Sequence, residues 1–219
     1  MTPEDDLKEA LDLFGRREYK KAAKAAEKAQ KKFEKDGLHA RAIEAQRVMA
    51  DSLLNARDLK EASRVYESML KTSQARSMVS YQAAACWGLG EIAAFGMDYA
   101  KAVSHFKLGL DLARKIADKW YTAWNGFGLG KAYRGTGKLT EAREVLTEAR
   151  DLFREQNQSV YAGWVEHLLG EIGGEVSSRK GEAKIWLCPM CGSKYPAETA
   201  QRLSAGKMVT CEYCGTTVG

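Results

Sequence analysis

The sequence predicts a mainly α protein: an array of antiparallel helical hairpins, followed by a small β module held together by cysteines. Three observations predict it. Motifs recur at a step of 40 residues, proline is almost absent before position 189, and four of the five cysteines form two tight pairs near the C-terminus. Proline breaks helices, so its scarcity leaves long helices unobstructed.

The repeat is carried by two columns. Tyr19-Lys-Lys-Ala22, Leu59-Lys-Glu-Ala62, Tyr99-Ala-Lys-Ala102 and Leu139-Thr-Glu-Ala142 each begin 40 residues after the last. Ala10, Ala50, Gly90, Gly130 and Gly170 keep the same step. A small residue in the first helix of each unit lets the second helix approach, and the alanine twelve positions on supplies the matching surface. Turn signals lie between them: Gly15-Arg-Arg-Glu, Ala56-Arg-Asp, Gly96-Met-Asp and Gly135-Thr-Gly-Lys. Glycine there is expected to end the first helix, where a left-handed residue costs it least.

The second helices carry apolar stripes. Val103, Phe106, Leu110 and Ala113 recur at helical spacing in the third unit, as do Ala142, Leu146, Ala149 and Phe153 in the fourth. A lone hairpin cannot bury such a stripe, but stacked hairpins can. Ser159–Ile172 reads as a fifth first-helix that caps the array. Residues 1–174 are therefore expected to form about four hairpins plus a capping helix. Gly173-Gly174-Glu-Val-Ser-Ser-Arg-Lys-Gly181 reads as flexible, so residues 175–184 are expected to be a linker that leaves residues 185–219 free to move.

These columns resemble the tetratricopeptide repeat: a small residue, an aromatic or leucine nine later, alanine three further on, then Tyr66 or Phe106 four beyond that. Leu89, Leu129 and Leu169 fill the usual leucine site beside the small residue. Two features depart from the family. Its ordinary period is about 34 residues, and its tryptophan site here holds Gln46, Cys86, Gly126 and Glu166. The resemblance implies a right-handed superhelical array whose first helices line a concave, partner-binding face. It places Arg47, Asp51, Trp87, Glu91, Trp124, Phe127, Lys131, Arg134, Trp164, His167 and Glu171 in that groove. Asp51, Glu91 and Lys131 stand where the family's carboxylate clamp uses asparagine, so chaperone C-terminal tails are not the expected ligands. Helical spacing alone leaves open whether the groove aromatics contact a partner or pack between units.

Cys188-Pro-Met-Cys191-Gly and Cys211-Glu-Tyr-Cys214-Gly flank 19 intervening residues. Two residues between cysteines let both thiolates reach one ion, and the glycine permits the tight turn behind them. Two such pairs point to one Zn²⁺ bound by Cys188, Cys191, Cys211 and Cys214, and the tail resembles a zinc ribbon. Four thiolates close the coordination sphere, so the metal is expected to be structural. A redox role for the pairs lacks the strand–helix context that chemistry needs.

The remaining signals mostly exclude. Gly88-Leu-Gly90 and Gly126-Phe-Gly128-Leu-Gly130 follow no strand and obey the repeat, so they are packing glycines rather than phosphate loops. His39, His105 and His167 stand apart, Cys86 reads as a small buried hydrophobe, and Lys20–Lys35 is a solvated helix face. No catalytic constellation emerges and no enzyme is expected. The absence of a long apolar run excludes a membrane span, and the acidic start makes a cytoplasmic location the default. The formal net charge is +5, but both signs are interleaved, and four zinc-bound thiolates would lower it by about two. The expected function is a protein-interaction adaptor binding a peptide or helix. The alternative is a nucleic-acid- or ribosome-associated factor that uses Lys194, Tyr195, Arg202, Lys207 and Tyr213 of the ribbon.

Overall fold

The computed structural model describes residues 2–173, 186–188 and 190–218. Among the described residues nine helices form the array: α1 (Pro3–Gly15), α2 (Tyr19–Lys35), α3 (His39–Asn55), α4 (Leu59–Ala75), α5 (Val79–Phe95), α6 (Tyr99–Lys115), α7 (Lys119–Gly135), α8 (Leu139–Glu155) and α9 (Ser159–Gly173). The C-terminal module contains α10 (Ala197–Ser204), β1 (Val209–Thr210) and β2 (Thr217–Val218). The strands pair antiparallel, Val209 with Val218, and Leu187 bridges to Lys194. The expected linker lies outside the described residues. Helix α10 was not visible in the sequence reading, which expected only short hairpins there.

From α2 onward each helix begins 20 residues after the one before, and α2 to α8 are 17 residues long. The same stop closes each of the first eight. In the first, Arg17 N–H donates to the Phe14 carbonyl and Glu18 N–H to that of Leu13; in the last, Asn157 donates to Arg154 and Gln158 to Phe153. This is the Schellman arrangement, which consumes carbonyls the helix end would leave unpaired. Its left-handed residue sits at positions 17, 37, 57, 77, 97, 117, 137 and 157, and only Gly37 and Gly137 are glycine there.

That corrects the expectation for the turns. Gly15 and Gly135 are the last residues of their helices, and Gly96 has a φ of −79°. The left-handed positions lie one or two residues further on, held by Arg17, Arg57, Met97 and Gly137. The fourth signal, Gly135-Thr-Gly-Lys, does supply its left-handed glycine in Gly137, whereas arginine or methionine takes that position in the other three.

Each helix packs on its predecessor and successor, and α3 also touches α5 and α5 touches α7, so the first helices of successive hairpins share one side. The small column explains the spacing. A β-carbon on Gly90 would lie 2.6 Å from the Phe106 ring, and one on Gly128 would lie 2.2 Å from the same ring. Phe106 is fully buried between them. Gly130 admits Leu146 and Gly88 admits Tyr66 in the same way. Ala22, Ala62, Ala102 and Ala142 are all completely buried, as their column requires.

Candidate partner groove and metal centre

Repetition at 40 residues turns sequence columns into stripes along the concave side. Arg47, Trp87, Phe127 and His167 form one stripe; Asp51, Glu91, Lys131 and Glu171 form the next. With Trp124, Arg134 and Trp164, all eleven groove residues read from the sequence line a single cavity of about 1070 Å³.

The charges in this cavity are largely neutralised from within. Arg47 bridges Glu44 at 2.8 Å and Asp51 at 2.5 Å. The Tyr66 hydroxyl donates to the second Asp51 oxygen at 2.6 Å, and the Tyr81 hydroxyl to Glu44 at 3.1 Å. Lys131 reaches back one unit to Glu91 at 2.7 Å, and Arg134 reaches forward to Glu171 at 2.5 Å. Burial pushes the Asp51 carboxyl above its ordinary range, against the pull of Arg47 and Tyr66. For Glu44 burial pushes the same way, but Arg47 and Tyr81 outweigh it and hold the carboxyl below the usual range. The surface between these paired charges is apolar.

That surface is aromatic. Trp124 is its hub, with ring centroids 5.6 Å from Trp87, 4.9 Å from Tyr161 and 6.4 Å from Trp164 in edge-to-face contacts. Its inner side meets Phe153, a core residue of α8, at 5.3 Å. Trp87, Trp124 and Phe127 thus pack against the core and line the cavity at once. Packing between units therefore does not withdraw these rings from the cavity surface. Sequence reasoning missed Trp120, Tyr121 and Tyr161, which also line the cavity. A signal existed: Tyr81, Tyr121 and Tyr161 recur at the same 40-residue step.

In the C-terminal module the four sulfurs of Cys188, Cys191, Cys211 and Cys214 lie within 4.8 Å of one another. Cys188 and Cys214 are 3.5 Å apart, Cys191 and Cys211 3.6 Å. A tetrahedral ion with bonds of about 2.3 Å to sulfur separates its ligands by about 3.8 Å, so the cluster fits one such ion. The two halves are built alike. Gly192 N–H donates to the Cys188 carbonyl and Gly215 N–H to that of Cys211, and both glycines are left-handed.

This module sits against the array. Gly192 lies on the indole of Trp164, where a β-carbon would come within 1.8 Å of Nε1. Arg17 Nη1 donates to the Tyr213 carbonyl at 3.0 Å, and its guanidinium stands 5.7 Å from the Tyr213 ring centre. No described helix is long and apolar enough to cross a membrane.

Comparison with known proteins supports the architecture. Residues 81–155 match the tetratricopeptide repeat family model. No curated protein matches the chain. Among solved structures, the apo form of RapI aligns with a TM-score of 0.68 at 16% identity, over 78% of this chain and 48% of that one. Aspartyl phosphate phosphatase F from Bacillus subtilis aligns with a TM-score of 0.70 at 13% identity, over 78% and 45%. A putative kinesin light chain of Podosopora anserina, with nearly identical TPR-like repeats, gives 0.57 at 14% identity over 77% and 84%. The chain thus spans about half the length of the first two, and these likenesses establish the fold.

Proposed function

From a solenoid of the tetratricopeptide type, we propose that this chain is a non-enzymatic interaction scaffold whose concave groove binds a peptide or helix of another protein. The observation that carries the reading is the aromatic floor of Trp87, Trp124, Phe127 and Trp164 between self-paired charges. Rigid rings supply contact area at low entropic cost, which suits a protein segment. The paired charges suit a polyanion poorly, because Arg47, Lys131 and Arg134 each already have a carboxylate beside them. We divide the chain into an array at 1–174, a linker at 175–184 and a ribbon at 185–219. One structural Zn²⁺ on Cys188, Cys191, Cys211 and Cys214 would hold the ribbon's shape, and that ribbon would offer a second contact.

The test is capture of partners from the native host's lysate on the tagged full chain, with and without nuclease, in low and high salt. Wild type is compared with Arg134→Glu plus His167→Glu, two half-exposed groove positions, and with Cys191→Ser plus Cys214→Ser. Protein partners that survive nuclease and salt but are lost from the groove variant are the expected result. Nucleic acid on the resin, or partners that vanish with nuclease, would replace this reading with that of a nucleic-acid-associated factor acting through the ribbon.

A further inference from the structure

The groove is not open along its whole length. Leu187, Met190, Tyr213 and Thr216 of the ribbon line the same cavity as the aromatic floor. The ribbon's two anchors lie at opposite ends of the array: Arg17 in the turn after α1, and Trp164 in the last helix. We propose that the ribbon is the groove's resident occupant, a strap from first hairpin to last helix that an outside segment must lift to reach the aromatic floor.

The fit is specific at the first knuckle. Gly192 has a φ of +67°, which the cysteine turn needs, and its bare α-carbon faces the Trp164 indole. Any side chain there would strain the turn and push the ribbon off the ring. Gly163 faces Leu187 on the same contact, with 3.8 Å from its β-carbon position to the leucine methyl.

The strap is also built to release. At Tyr213 its polar anchor is a hydrogen bond with a cation over a ring, both solvent-facing. Trp164 Nε1 is buried without a hydrogen-bond acceptor, and a buried donor left unpaired carries an uncompensated desolvation cost. A ligand that brings a carbonyl to that nitrogen relieves this cost as it displaces the ribbon. Tethering sets the opposing pull, because docking within one chain works at an effective concentration on the order of millimolar. A strap closed nine-tenths of the time lowers a partner's apparent affinity about tenfold.

Displacement by a partner rests on the proposed function, but docking does not, and docking is measured first. In ¹⁵N relaxation of the zinc-loaded full chain, ribbon and array amides should report one rotational correlation time. Arg17→Ala, which leaves the ribbon untouched, and Gly192→Ala should each shorten the ribbon's time at least twofold while the array's stays fixed. Acrylamide quenching of the groove tryptophans should rise in the same variants. A wild-type ribbon that already tumbles faster than the array would overturn the inference, as would two variants that still tumble as one body with unchanged quenching. Either result leaves partner capture by the groove to stand or fall separately.

Discussion

At the residue scale, the most demanding positions are those where nothing but a hydrogen fits. Phe106 is held between Gly90 and Gly128, and the nearer of them leaves only 2.2 Å for a β-carbon. Gly128→Ala should therefore destabilise the array by about 1–3 kcal/mol through overpacking, read as a lower urea midpoint with unchanged slope. Cys86 is a second case, fully buried beside Gly109. Burial pushes its thiol up to about 12, so it carries almost no thiolate at neutral pH. After metal removal four thiols should react quickly with an alkylating reagent, and the fifth only in denaturant. A rapid burst of five would show that α5 opens in the native state. The packing role of Gly90 and Gly128 and the buried character of Cys86 were readable from their places in the first helices. Which ring each glycine receives was not, because Phe106 serves Gly90 of its own unit and Gly128 of the next.

At the element scale, the eight Schellman stops decide where each helix ends. Six carry a side chain in the left-handed region, where an L-residue is disfavoured by about 1 kcal/mol. Ala117→Gly should raise stability by about 0.5–1 kcal/mol. Gly137→Ala, with no atom near enough to clash, should lower it by a similar amount. Equal midpoints in a denaturant titration would mean that the turns fray rather than hold their angles. The starts of the second helices were legible because Tyr19, Leu59, Tyr99 and Leu139 mark them directly. The stops were not, since residues as unlike as arginine, serine, methionine and asparagine occupy them.

At the scale of the whole molecule, the array and the ribbon are stabilised differently. The array buries continuous clusters from Leu7 to Leu168, whereas the ribbon's own core is Cys188, Tyr195, Val209, Cys211 and a few flanking side chains. A module that small would depend for its folding on an ion held by the four cysteines. Chelation should thus collapse the dispersion of the ribbon amides and leave the helical circular dichroism of the array almost unchanged. With the ribbon seated on Trp164, chelation should also move the fluorescence of the full chain. A loss of array helicity on chelation would show that the two parts fold as one cooperative unit.

By itself the sequence determined the period, the helix register and the set of four paired cysteines. All of these follow from local spacing, and local spacing is written in the chain. The tertiary structure alone decided that the groove aromatics also close the core, that the groove's charges pair across units, and that Arg17 meets Tyr213 across 196 positions. Each of these depends on how successive hairpins stack and curve. That curvature is the sum of many small packing angles, and no single residue or spacing states it.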